Sequence, residues 1–381
     1  MTRTLNWNRA ATSADPFPGV EQAMVEGLHA LPHLRGPQGE SMAERIYAIR
    51  ARAARMFGFS HPERVIFTPG ATYGLNLAVQ RGIEDGAKVL TTTYEHNAMT
   101  RPLHAARHRG VEMQVLPVDD CGRLCLDALE KELAKGEVSW LALGVASNAL
   151  GIIQPFEKAC ALAKAAGVKV ILDMAQGGGQ VPIHLKKLGV QFASIAGHKS
   201  LHGPRGVGLL FVSAEAQPGP FLFGGTGTEG TLLEMPEEFP EHLETGTSNF
   251  PGIFGIGAAL EYLEKHPVDL SSIRQHLSEL ELWCQEHPAL EVLPHQPVPW
   301  TERLAILSVK SPKVAPTILV DLLAEQGLLV RSGSMCTTGI LPRFGAEDGL
   351  IRLSPPTDAT AEDFTFARAS FAQALQVLAQ V

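Results

Sequence analysis

From Val65 to Val212 the chain repeats one pattern: a short apolar run, a break at glycine, proline or a polar cluster, then a helical stretch. The runs are Val65–Phe67, Val89–Thr92, Val111–Val118, Trp140–Val145, Val168–Leu172, Phe192–Ala196 and Val207–Val212. Helices are expected between them over Ala71–Arg81, Met99–Arg109, Leu126–Ala134 and Pro155–Ala166. The last of these carries Phe156, Ala159, Cys160 and Ala163 on one face, with proline in its first turn and Gly167 closing it. Strands that alternate with helices pair in parallel and need a helical layer on both faces. The fold class is therefore α/β, a large domain built on a mainly parallel sheet.

Outside this block the pattern changes. Helices are expected over Val20–Leu31 and Ser41–Phe57, after an irregular start broken by Asp15-Pro16 and Phe17-Pro18. From about Pro267 a smaller α+β unit begins. Its expected helices are Ser271–Glu286, Ala315–Gln326 and a last one from Ala361. Its expected strands are Leu290–Leu293, Ala305–Val309, Leu328–Arg331 and Leu350–Leu353. The expected division is an N-terminal arm over 1–18, a large domain over 19–266 and a smaller C-terminal domain over 267–381, with the arm free to pack on the small domain.

Composition narrows the partners. The net charge of −8 comes without a basic stripe, which argues against nucleic acid. No apolar run approaches the roughly 20 residues of a membrane span, and the first residues lack a signal-peptide core. Five cysteines without a spacing framework suit a reducing, cytoplasmic setting. Cys160 and Cys284 read as packed helix residues, and Cys121 and Cys125 sit about a turn with no second ligand pair, so no metal is expected. Cys336 differs, because its loop has no apolar period.

On parallel sheets ligands gather at the carboxyl ends of the strands. The polar groups there are Gly70-Ala71-Thr72, Glu95-His96-Asn97, Ser147-Asn148, Asp173 with Gln176, and His198-Lys199. Gly70-Ala71-Thr72 opens a helix whose free N–H groups suit a phosphate, or is an ordinary helix start. His96 suits stacking on a ring, or is a polar turn residue. Asp173 suits a protonated pyridine nitrogen, or caps the next segment. Lys199 suits a Schiff base, or is a solvated turn residue.

The order of Asp173-Met174-Ala175-Gln176, Gly197-His198-Lys199 and Gly203-Pro204-x-Gly206 resembles the class V group of fold-type I pyridoxal phosphate enzymes. Within it the sequence is most similar to the cysteine desulfurase and selenocysteine lyase branch. Glu244-Thr245-Gly246-Thr247-Ser248-Asn249, Ser332-Gly333-Ser334-x-Cys336-Thr337 and Arg352-x-Ser354 follow in the family's order. The resemblance implies that pyridoxal 5'-phosphate is bound through Lys199, with Asp173 at the pyridine nitrogen, Gln176 at the ring hydroxyl and His96 over the ring. It places Gly70, Ala71, Thr72 and His198 at the phosphate, joined by Thr247 from the other subunit of a homodimer. It places Asn148 and Arg352 at the substrate, L-cysteine or a similar amino acid, and makes Cys336 the nucleophile that takes its sulfur as a persulfide, leaving alanine. A sulfur-acceptor protein would follow.

Three positions depart from the family. Ala196 stands where many relatives carry a hydroxyl, and Asn8-Arg9 where they often read Asp-Asn. The cysteine loop has the wording of group I desulfurases and the short reach to Arg352 of group II. Other readings of the same cofactor are selenocysteine lyase, C–S lyase without persulfide, or class V aminotransferase. An inactive cofactor-binding scaffold is a further one.

Overall fold

The computed structural model describes residues 3–30, 36–228, 231–337 and 339–379. In chain order it begins with β1 (Leu5–Asn6), α1 (Val20–Leu28), α2 (Pro37–Met56), β2 (Val65–Thr68), α3 (Ala71–Leu77), β3 (Lys88–Thr92), α4 (Asn97–Ala105) and β4 (Glu112–Leu116). It continues with α5 (Leu126–Leu133), β5 (Trp140–Gly144), α6 (Phe156–Ala165), β6 (Lys169–Asp173), α7 (Leu185–Leu188), β7 (Phe192–Ala196), β8 (Gly208–Val212) and α8 (Phe250–Lys265). It ends with α9 (Ser271–Gln285), β9 (Glu291–Leu293), β10 (Leu307–Lys310), α10 (Pro316–Glu325), β11 (Leu328–Leu329), β12 (Arg331–Gly333), β13 (Leu350–Leu353) and α11 (Ala361–Ala379).

Seven strands form the large sheet in the order β2-β8-β7-β6-β5-β3-β4. The pairs β3·β4, β3·β5, β5·β6 and β6·β7 are parallel, while β8 runs antiparallel to both β7 and β2. Every residue of β5, β7 and β8 is buried, as a sheet covered on both faces requires. Because β6 and β7 are parallel neighbours, Asp173 at the end of one and the Lys199 turn after the other come out on the same edge.

A second sheet of order β12-β13-β10-β9 is antiparallel throughout and packs on α9, α10 and α11. The N-terminal segment belongs to this side. β1 pairs in parallel with β11, Trp7 is buried against Phe364, and Asn8 bridges to Ser354. The continuous strand expected over Leu328–Arg331 is split in two. β11 pairs with β1 and β12 with β13, because Val330 is where the chain changes partner.

The helix expected over Ala71–Arg81 changes character at its end. After Leu77 the backbone continues as a π turn over Ala78–Gly82. The largest unforeseen element is α8. Asn249 caps it, its Oδ1 accepting the Gly252 N–H at 3.0 Å. Its glycines allow close approach: a Cβ at Gly255 would lie 2.4 Å from Pro204 and 2.8 Å from Met24, and one at Gly257 2.7 Å from Ile49.

The segment before α8 is tied to the sheet by one buried ion pair. Arg50 on α2 reaches both oxygens of Glu244 at 2.7 Å, and Glu244 Oε1 also accepts the Phe67 N–H at 2.6 Å. The guanidinium lies over the Phe67 ring, 4.3 Å from its centroid. Removing one partner leaves a buried charge uncompensated. Glu244→Ala is therefore expected to lower unfolding free energy by about 3–5 kcal/mol in urea titrations, and Glu244→Gln by less, since it keeps an acceptor.

Candidate active site

Seven of the residues singled out in the sequence line one cleft of about 440 Å³: Gly70, Ala71, Thr72, His96, Asp173, His198 and Lys199. They come from the ends of β2, β3, β6 and β7. Ala196 lines it as well, so a methyl group stands at the position where relatives offer a hydroxyl.

The lysine turn is built by glycines. Gly197 N–H bonds Val207 O at 2.9 Å, Gly203 N–H bonds Gly197 O at 2.8 Å, and His202 N–H bonds Lys199 O at 2.9 Å. At Gly208 a Cβ would sit 2.8 Å from Gly70 Cα, so only glycine lets β8 pass the start of α3. The result holds Lys199 at the cleft floor. Burial pushes its ammonium below the usual lysine range, Asp173 opposes this, and Arg352 and Arg331 push it down further. Burial also raises Asp173, against the Ala175 N–H that bonds its Oδ1 at 2.8 Å and the charge of Lys199. An acid and an amine, each resisting charge, thus face one another across a cleft that would admit a polar ring.

His96 caps α4. Its Nδ1 accepts the Ala98 N–H at 3.0 Å, which leaves the ring proton on Nε2. Burial, then the charges of Lys199, Arg331, Arg352 and Arg101, lower its pKa to about 4, so the ring is neutral near pH 7. His198 is half-buried and is held from the N-terminal arm. Its Nδ1 lies 3.1 Å from Thr12 Oγ1, and its carbonyl accepts the Ser13 N–H at 2.8 Å.

Four further residues sit beside this cleft or outside it. Gln176 lies in a small adjoining pocket with Lys199, and its Nε2 donates to Ala10 O at 2.8 Å. Arg352 is buried, donating from Nη1 to Asn148 O at 2.8 Å and from Nη2 to Asn8 Oδ1 at 3.2 Å, while its Nε has no partner among the described residues. Burial, reinforced by Arg331, brings its pKa down to about 9. The amide of Asn148 is taken up by the cysteine loop instead of facing open space. Thr247 does not line the cleft; it is exposed, in a neighbouring hollow with Glu244 and Tyr73.

Cys336 follows β12. Arg331 Nη2 lies 3.9 Å from its Sγ, and the sulfur lies within electrostatic reach of both Lys199 and Arg352. The cysteine, the lysine and the two arginines therefore share one electrostatic neighbourhood, although their positions span 154 residues from Lys199 to Arg352.

Sequence reasoning gave Glu95 no role of its own. Its side chain is buried, accepting the Thr92 hydroxyl at 2.8 Å and the Gly144 N–H at 3.1 Å. The signal was a carboxylate directly before His96 at a strand end. Burial, with the charge of Asp173, raises its pKa from 4.5 to about 8. Between those values the folded protein holds the proton that the unfolded chain has lost. Stability therefore falls as pH rises through that window, by up to about 1.4 kcal/mol per pH unit. Glu95→Gln should remove this slope, so the Tm of the wild type minus that of the variant should decline from about pH 5 to about pH 8. A constant difference would count against it.

Known proteins resemble this chain over most of its length. A curated relative, "Probable cysteine desulfurase" of Pyrococcus abyssi (strain GE5 / Orsay), is 29% identical over 362 residues, which are 91% of this chain and 88% of the relative. "Cysteine desulfurase" of Cronobacter sakazakii (strain ATCC BAA-894) is 30% identical over 341 residues, covering 85% of this chain and 79% of the relative. Among solved structures, the apo structure of cysteine desulfurase from Thermococcus onnurineus NA1 superposes with a TM-score of 0.87 at 25% identity, over 98% of this chain and 95% of that one. The family model described as aminotransferase class-V matches residues 7–370. With its mostly parallel sheet, its lysine turn and a match over nearly its whole length, the chain belongs to the aminotransferase class-V family.

Proposed function

We propose that this protein is a pyridoxal-phosphate-dependent cysteine desulfurase, which moves the sulfur of L-cysteine onto Cys336 and leaves alanine. The observation that carries this is the meeting of Cys336 with Arg331 and Arg352 beside the cleft of Lys199, Asp173 and His96.

The donor set fits the cofactor. A buried carboxyl stands opposite an amine. The first N–H groups of α3, at Ala71 and Thr72, have no intrahelical partner and border the cleft. Lys199 would hold the cofactor covalently, Asp173 would keep a proton on its ring nitrogen, and the neutral His96 ring would cover it. Bound there, the cofactor supplies an electron sink for the Cα of the substrate.

The chain's own residues do the rest. Arg352 grips the substrate carboxylate with its guanidinium. Lys199, whose ammonium burial disfavours relative to an exposed lysine, takes the Cα proton. The Cys336 thiolate attacks the substrate sulfur, and an S–S bond forms as the C–S bond breaks. Arg331 faces that sulfur with a positive charge. The departing electron pair goes to the carbon fragment, which takes up protons and leaves as alanine. A thiol reductant or an acceptor protein then discharges the persulfide.

Two exposed apolar stretches, Leu222-Phe223 and Leu232-Leu233, support a homodimer, and Thr247 lines the same hollow as Leu222. Among the described residues no helix is long and apolar enough to cross a membrane. Product analysis tests the reading. With L-cysteine and a reductant, alanine and sulfide should appear in equal amounts. Pyruvate and ammonia would mean a lyase, and a new amino acid made from an added keto acid would mean a transaminase.

A further inference from the structure

Both ends of the Asn148 side chain are engaged by the loop that carries Cys336. Nδ2 donates to Met335 O at 2.6 Å, and Oδ1 accepts the Thr337 hydroxyl at 2.6 Å. These two partners bracket the cysteine. Asn148 and Thr337 are both buried, so each bond replaces water that cannot reach the site. A third bond, from Asn97 N–H to Cys336 O at 2.8 Å, fastens the same turn to the start of α4.

The turn needs such fastening. Met335 and Cys336 have φ of +54° and +56°, successive residues in the left-handed region that a side chain with a Cβ disfavours. Such a conformation persists only where its surroundings hold it. Asn148 has a second attachment: its backbone carbonyl accepts the Arg352 Nη1 hydrogen bond at 2.8 Å. One residue in the loop after β5 thus holds both the thiol turn and the guanidinium.

We propose that Asn148 is a positioning residue that clamps the strained Cys336 turn beside the cleft and fixes its spacing from Arg352. The proposal rests on the reading of Cys336 as the sulfur acceptor. Its consequence is a two-state turn. Clamped, the thiol is set at a fixed distance from a carboxylate held by Arg352. Released, the turn relaxes its left-handed residues and carries the sulfur outward.

Alkylation of Cys336 by iodoacetamide tests it, followed on the Cys336 peptide by mass spectrometry in cofactor-loaded protein without cysteine. Asn148→Ala and Thr337→Val should each raise the alkylation rate about tenfold or more. They should also lower kcat for alanine formation about 10- to 100-fold with a smaller change in KM. Thr337→Ser, which keeps the hydroxyl, should restore both. Thr337→Val carries the test if Asn148→Ala does not fold. An Asn148 that merely contacts substrate would raise KM and leave the alkylation rate unchanged, and that result overturns the proposal. The underlying reading fails by a different signature: Cys336→Ala would form alanine at the wild-type rate, and a positioning role for the turn would fall with it.

Discussion

Replacing Lys199 by alanine is expected to lower alanine formation from L-cysteine on the order of 10⁴-fold, the loss of a positioned general base and a covalent anchor together. The fold should survive, because the Lys199 side chain faces the cleft and the turn is closed by backbone bonds among Gly197, Gly203 and Val207. Lys199→Arg should not rescue it. The guanidinium stays charged, whereas burial shifts the lysine amine toward its neutral form. A second readout separates the anchor from the base. After borohydride treatment the wild type should carry the mass of the cofactor on the Lys199 peptide, and Lys199→Ala should carry none while still binding the cofactor reversibly. Cofactor found on any other lysine of the wild type would displace Lys199 from its role.

The second large effect belongs to Cys336. Cys336→Ala should abolish sulfide release, a fall of about 10³-fold or more for loss of the nucleophile, while leaving the cofactor bound and the Lys199 cleft intact. Two features make the loss selective. The Cys336 side chain is only partly buried, and its neighbours Met335 and Thr337 are held by Asn148 through a backbone carbonyl and a hydroxyl that the substitution leaves in place. Cys336→Ser should behave like Cys336→Ala, since a hydroxyl near neutral pH is a far poorer nucleophile toward sulfur than a thiolate. Two of the four remaining cysteines give a control. Cys160 and Cys284 are buried, their pKa values pushed up to about 12, and neither has access to substrate.

The strand-end residues were readable because the β-strands are short, apolar and sharply ended. Asp173 and Lys199 each follow a buried run, and on a parallel sheet the ends of β6 and β7 have only one edge to share. What could not be read was the partner of each polar side chain. Asn148 and Thr337 are 189 residues apart, and Gln176 and Ala10 are 166 apart. No periodicity links such positions, so the sequence did not reveal that Asn148 also holds the cysteine loop or that Gln176 also reaches the N-terminal arm. The arm was opaque for the same reason. Trp7, Asn8, Thr12 and Ser13 take their meaning from Phe364, Arg352 and His198, all far along the chain.

α8 escaped for a different reason. Gly252, Gly255 and Gly257 interrupt its apolar face, and glycine normally argues against a helix interior. Packing decides in its favour, because Gly255 admits Pro204 and Met24 and Gly257 admits Ile49 at distances a side chain would forbid. The break at Val330 was invisible because the apolar run Leu328-Leu329-Val330 carries through it; only the pairing partner changes there.

The central claim is that the sulfur of cysteine passes through Cys336. The most direct measurement is mass spectrometry of the wild-type protein, loaded with pyridoxal phosphate, after a brief exposure to L-cysteine with no reductant. The account predicts one added sulfur atom on the Cys336 peptide, in step with one alanine released, and its removal by a thiol reductant. Alanine released with sulfide already free in solution, and no added sulfur on Cys336 at any time, would contradict it.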